Sequence, residues 1–296
     1  MMTQASQMSD PVHSDPLREV VYTPESKIRH PRRLLSEMWH DLHASRELAW
    51  RLMVRDISAQ YRRSLLGLFW AFLPPIVTAA IFIILHRQEM FNVRETDLPY
   101  PAFVLVGTVL WQVFVDSVNA PLKSVTAARS MLAKIKFPYE ALVLSAIGQV
   151  LFNLGMKVVI LIVVFIAFKI PITWSLALSP FAILMLILLG IFIGLLLTPI
   201  GVLYTDISTG LVMVTNLWFY ATPVVYPPPQ SFPFSLLTTL NPVSPLLTGT
   251  RDLITNGNLE NAGAFAVVSV LTFTGLAFAW VLYRLALPIL IERMSA

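Results

Sequence analysis

Long stretches without a charged residue divide the 296-residue chain. Ser64–Leu85 runs 22 residues uncharged, Leu98–Leu122 holds only Asp116, and Ala141–Phe168 holds only Lys157. Ile170–Thr205 is uncharged over 36 residues and Ile207–Thr250 over 44, and Asn261–Tyr283 closes the series. A helix needs about 20 apolar residues to cross the hydrocarbon layer, and irregular backbone cannot face lipid. The pattern therefore predicts six transmembrane helices, at 65–85, 99–122, 141–168, 176–203, 207–225 and 262–282. The expected class is an all-α integral membrane protein whose membrane domain occupies 64–296.

Two further segments carry a pattern of their own. Over 34–63, Leu35, Met38, Trp39, Leu42, Ala49, Leu52 and Met53 recur at three- and four-residue steps, with Arg46, Arg51 and Arg55 among them. That is the pattern of an amphipathic helix lying in the membrane interface, or of one docked on the protein's own spans. Residues 1–33, with scattered Pro and charge, read as a flexible leader. Between the fifth and sixth spans, Tyr226–Asn261 holds Pro227, Pro228, Pro229, Pro233, Pro242 and Pro245, with Pro223 just upstream. Its apolar pieces, Phe234–Leu240 and Val243–Ile254, are too short to cross and too apolar for a free loop. They predict an outer re-entrant hairpin.

Composition agrees with this picture. Hydrophobic residues make up 56% of the chain and charged residues 13%, against about 25% charged in an ordinary soluble domain. A soluble enzyme and a disordered chain are both excluded. There is no cysteine, hence no disulfide framework and no thiolate nucleophile. The first 63 residues hold ten of the 21 Lys and Arg and no apolar run of signal-peptide type, so no cleaved signal is expected. Six spans with that segment inside place 16 cations on the cytoplasmic side and four (Arg87, Arg94, Lys169, Arg251) outside. The positive-inside rule then predicts both termini to be cytoplasmic.

What is missing also narrows the function. None of the 12 glycines is followed by Lys, so the chain has no phosphate loop for ATP. His40 and His43 sit three apart without a third ligand, and no metal site is expected. Acidic residues are nearly absent from the spans, which argues against a proton-driven pump. Two spans do carry polar stripes: Gln112, Asp116, Asn119 and Lys123 on the second, and Ser145, Gln149, Asn153 and Lys157 on the third. Each set shares one helical face. The stripes either wall a transport path or hold the two helices together at about 0.6 kcal/mol per hydrogen bond. At 1.5 Å per residue from the inner boundary, Asp116 lies about 9 Å deep and Lys157 about 24 Å, so the two are not expected to pair. Lys157 is expected to snorkel outward or meet a polar cavity. Gly190 and Gly194 predict a close helix contact.

Several segments together resemble the polysaccharide-exporting ABC permeases, which move lipid-linked O-antigen, capsule or teichoic-acid chains. They are Tyr61-Arg-Arg-Ser-Leu-Leu-Gly-Leu-Phe-Trp-Ala-Phe-Leu-Pro-Pro75, Gly107-Thr-Val-Leu-Trp-Gln-Val-Phe114, Lys134-Ile-Lys-Phe-Pro138, Thr222-Pro-Val-Val-Tyr-Pro227 and Leu240-Asn-Pro242 with Arg251 after it. Their order is that of the family, and the likeness covers about residues 45–255. One departure is Tyr204-Thr-Asp206, where the family commonly carries Arg at the middle position.

The resemblance implies two copies of this chain paired with two copies of a separate ATPase, which alone would hold ATP and Mg. It implies a polyprenyl-diphosphate-linked glycan as substrate and no covalent chemistry on this chain. The loop Lys123–Glu140 would then contain the coupling helix, with Met131, Leu132, Lys134, Lys136 and Phe137 touching the ATPase. The plainer reading is an ordinary basic inner loop. Tyr61, Arg62 and Arg63 either receive the carrier diphosphate, which suits Arg forks, or anchor to lipid headgroups. Trp70, Phe72, Trp111, Trp218 and Tyr220 are channel-lining candidates, because sugars stack their C–H faces on aromatic rings; the alternative is an interfacial belt or interhelical packing. Competing functions are an ABC exporter of a drug or small lipid, a membrane transferase acting on lipid-linked sugars, and a structural membrane protein.

Overall fold

A computed structural model describes residues 31–62, 65–89, 98–132, 134, 137–255 and 257–295, with side-chain surroundings from 36 to 290. No strand occurs among the described residues. The predicted leading helix is two helices, α1 (Pro31–Ala44) and α2 (Arg46–Tyr61). They meet at Ser45, whose hydroxyl and backbone N–H both donate to the Asp41 carbonyl. The leader before residue 31 lies outside the described residues.

Among the described residues, four helices are long and apolar enough to cross a membrane: Tyr100–Ala127, Glu140–Phe168, Trp174–Leu203 and Ala262–Leu290. They fall on α4 (Tyr100–Ala127), α6 (Glu140–Phe168), α7 (Ser179–Leu203) and α11 (Ala262–Ser295). The two remaining predicted spans fall short of that length. Over 65–85, Gly67 sits at φ +50°, a 3-10 turn fills Gly67–Ala71, and Pro74 and Pro75 begin α3, Leu73–Arg87, of 15 residues. A left-handed glycine followed by a proline pair breaks a continuous helix there and restarts it. At the fifth predicted span stands α8, Thr205–Ala221, 17 residues ending where Pro223 removes the next donor.

Packing is organised around α4. Nineteen of its 28 residues are buried, from Tyr100 to Val125. α7 lies along it with Gly190 against Ser117 and Phe114, and Gly194 against Val118 and Pro121. A Cβ at Gly194 would stand 2.9 Å from the Pro121 ring, so the predicted small-residue contact is a tight seam between α7 and α4. α6 runs antiparallel to α4 across a short connection that holds α5 (Arg129–Leu132). The antiparallel register is set at one end by the Ser124 hydroxyl, which donates to the Leu142 carbonyl at 3.0 Å. α2 packs on α6, burying Ala49 and Leu52 and seating Met53 over Gly148.

The proline-rich connection contains α9 (Phe234–Leu240) and α10 (Val243–Thr255). α9 buries nothing, whereas α10 is buried nearly throughout and packs on α7, α11 and α4. The hinge between them is Asn241. Its Oδ1 accepts from Trp218 Nε1 at 3.0 Å and from the Val243 N–H at 3.1 Å, and its Nδ2 donates to Thr222 Oγ1 at 2.8 Å.

Candidate functional site

The polar stripes of α4 and α6 meet each other and the end of α2. Lys157 Nζ forms an ion pair with Asp116 Oδ2 and donates to the Gln112 carbonyl at 3.3 Å. Asn153 Nδ2 donates to Asp116 Oδ2 and Gln112 Nε2 to Asp116 Oδ1, both at 3.2 Å. Lower on the same seam, Gln149 Nε2 reaches Asp56 Oδ2 of α2 at 3.2 Å and Ser145 Oγ at 3.3 Å. Asn119 stays local, donating to the Val115 carbonyl. The seam therefore joins three helices.

The Lys157–Asp116 pair contradicts the expectation from depth. Counted from the Ser124–Leu142 contact, the two residues differ by seven positions, about 10 Å along the axis rather than 15 Å. Every Cα–Cβ bond tilts toward the N-terminus of its own helix. In antiparallel helices that tilt sends Asp116 up toward Lys157 and Lys157 down toward Asp116, and the long ammonium stem spans what is left. The Lys157 side chain is 2% exposed and that of Asp116 20%. Neither snorkels.

A second ionic group ties the Glu140 end of α6. Arg284 of α11 forks to Glu140 and to Asp41, the latter at 2.6 Å. Nothing in the spacing of these three residues marks them in the sequence. The only available signal was that Arg284 and Glu140 both lie at span ends on the basic side.

The coupling candidates belong to the connection just before Glu140 in the chain. Leu132 is in the core, and Met131 and Phe137 pack against it. Lys134 is exposed, and Lys136 lies outside the described residues. Tyr61 is half-buried with its ring 6.3 Å from that of Phe152, and burial, then the Asp116 charge, raises its phenol. Arg62 is exposed beside Trp50, Arg51 and Arg55 on one face of α2; Arg63 lies outside the described residues.

The aromatic candidates divide. Trp111 is buried against Phe114 and Phe219, and together with Tyr220 it lines a cavity of about 610 Å³ between α3, α4 and α8. Gln112, Thr108 and Asn216 add polar groups to that wall. Trp218 points elsewhere, edge-on to Phe114 and bonded to Asn241. Trp70 is exposed on the 3-10 turn, and Phe72 packs on the core.

Three of the sequence motifs converge at the opposite end from Glu140. Arg251 Nη2 donates to the carbonyls of Pro223 at 2.9 Å and Val224 at 2.7 Å, and its guanidinium lies 3.9 Å from the Phe103 ring centre. Gly107 makes this possible: a Cβ there would collide with the Val224 oxygen and stand 2.6 Å from Arg251 Nη2. Tyr100 Oη donates to the Val225 carbonyl. Among the described residues no group of His, Asp and Glu could hold a metal ion.

This bundle, with buried charge inside long apolar helices, is that of a membrane permease. Residues 47–255 match the ABC-2 type transporter family, and the chain belongs to it. It is similar to the O-antigen export system permease protein RfbA of Myxococcus xanthus, 29% identical over 236 residues, or 78% of this chain and 90% of that protein. Two proteins of the same name from Klebsiella pneumoniae are each 25% identical over 230 residues, 75% of this chain. They are covered over 84% and 83% of their length.

Proposed function

We propose that this chain is the transmembrane half of an ABC exporter that carries a polyprenyl-diphosphate-linked polysaccharide across the bacterial cytoplasmic membrane. The glycan is of the O-antigen, capsule or teichoic-acid kind. The observation that carries the reading is similarity to an O-antigen export permease across 90% of that protein's length. In this reading a separate ATPase, in two copies, binds ATP and Mg and drives two copies of the permease. α8 buries Leu211, Thr215 and Phe219 and turns Val212, Met213 and Leu217 outward, an apolar face for the second copy.

Six crossings are retained in this proposal. The 3-10 turn with α3 spans Gly67–Arg87, and α8 is 17 residues, enough for about 25 Å. An even count returns both termini to the basic side. α9 and α10 form the re-entrant hairpin on the outer side. The leading helix lies at the inner interface, where Tyr61, Arg62 and Arg63 meet the carrier diphosphate. Trp111 and Tyr220 face the glycan path. The loop with Met131, Leu132, Lys134, Lys136 and Phe137 docks on the ATPase. Glu140 begins α6 three residues after Phe137, so a pull on the loop reaches Arg284 and Asp41 directly. Coupling is thus a rigid shift of packed helices against one another.

The test is co-purification with the ATPase encoded beside it, then ATPase stimulation by a polyprenyl-linked glycan. Stimulation by a drug or short lipid alone favours a small-molecule exporter. Failure to associate with any nucleotide-binding chain overturns the proposal.

A further inference from the structure

The polar seam and the aromatic wall share one residue. Gln112 lines the cavity between α3, α4 and α8 together with Trp111, Phe219 and Tyr220, and its Nε2 donates to Asp116 Oδ1 at 3.2 Å. An ionised carboxylate only accepts, so the nitrogen is the end of the amide that meets it, and the sense of the Gln112 side chain is fixed by chemistry. The amide carbon is trigonal, which sends Oε1 away from Asp116. That oxygen has no hydrogen-bond partner among the described residues, and it is not one of the enclosed polar atoms. It is an open acceptor on a wall where the Thr108 hydroxyl is already bonded to the Val104 carbonyl at 2.8 Å.

The group around Asp116 holds this arrangement. Lys157 Nζ pairs with Asp116 Oδ2 and donates to the Gln112 main-chain carbonyl at 3.3 Å, so one ammonium fixes both the carboxylate and the backbone that carries the amide. Asn153 Nδ2 also takes Oδ2, at 3.2 Å, and leaves Oδ1 to Gln112. Ionisable residues inside a membrane are costly and mark function. We infer that the Lys157–Asp116 pair positions Gln112, whose Oε1 then accepts a hydroxyl from cargo resting on Trp111 and Tyr220. Gln112 is thus a specificity-determining residue of the transport path, and Asp116 and Lys157 are its positioning residues. A site built to bond a hydroxyl rejects an analogue that lacks it, whereas an apolar wall alone discriminates weakly. The inference rests on the export reading, which supplies the cargo class: a glycan brings both C–H faces and hydroxyl donors.

The experiment follows ATPase stimulation of the full permease–ATPase complex in nanodiscs. The probe is the polyprenyl-linked glycan extracted from the source cells, and the readout is the glycan concentration at half-maximal stimulation. Gln112→Leu should raise that concentration about fivefold to tenfold, the effect of one lost hydrogen bond. Asp116→Leu/Lys157→Met removes the group that orients Gln112 without leaving an orphan charge, and should raise it about threefold to fivefold. Adding Gln112→Leu to that pair variant should give no more than Gln112→Leu alone, because both act through the same oxygen. A purely structural role multiplies instead, so a triple variant showing the product of the two effects overturns the positioning. An unchanged half-maximal concentration in Gln112→Leu overturns it too. Asp116→Glu keeps the ion pair but moves the carboxylate by one methylene, and carries the same comparison if the pair variant does not assemble. Its rise of about twofold or more should vanish in the Gln112→Leu background, and no rise overturns the positioning. Any of these failures with a glycan-stimulated wild type leaves the export reading standing. A wild-type complex that hydrolyses ATP but ignores the glycan overturns that reading, and the inference with it.

Discussion

Removing either partner of the Lys157–Asp116 pair should destabilise the helix bundle, and by unequal amounts. Asp116→Asn leaves a 2%-exposed ammonium without a counter-charge, with only neutral acceptors, the introduced amide oxygen and the Gln112 carbonyl. Breaking a buried pair in this way costs about 3–5 kcal/mol. Lys157→Met leaves a carboxylate that is 20% exposed and still accepts from Gln112 and Asn153. Its loss should be nearer the 1–3 kcal/mol of an unsatisfied buried group. The double variant Asp116→Asn/Lys157→Met leaves no orphan charge, so it should be milder than Asp116→Asn alone. The assay is reversible unfolding of the full chain in detergent or bicelles with all four proteins in one cycle. A coupling energy of about 2 kcal/mol or more is expected, against about 0.6 for a neutral membrane hydrogen bond. Additivity within about 0.5 kcal/mol would refute the reasoning, since distant, uncoupled sites behave that way. So would equal losses from the two single changes.

Three other perturbations test the rest of the frame. Gly107→Ala forces a methyl onto the Val224 carbonyl and Arg251, and should cost about 1–3 kcal/mol of stability by overpacking, read by thermal unfolding. Arg284→Gln strands Glu140, 3% exposed, beside Asp41; a loss of about 3–5 kcal/mol is expected, with partial recovery when Glu140→Gln is added. Asn241→Leu orphans the Trp218 indole N–H and the Val243 N–H; about 1–3 kcal/mol per group should be lost, and Trp218 emission should shift.

The helical class, the membrane setting and the polar faces of α4 and α6 are legible in the sequence because each depends on local periodicity and on lipid's refusal of unpaired backbone and charge. The two short helices α9 and α10 are legible for the same reason, down to Pro242 at their junction. Register between helices is not a local property. Whether Lys157 reaches Asp116 depends on how far α4 runs past Leu122 and on the opposite tilts of two side chains, which only the packed pair decides. Likewise the Arg284–Glu140–Asp41 clamp joins residues 243 positions apart, with no spacing to announce it. The Arg251, Gly107 and Val224 contact shows the division most plainly. The three motifs stand out singly in the chain, but that a glycine is needed so an arginine can hold a carbonyl follows from their approach in space, where a single Cβ would collide.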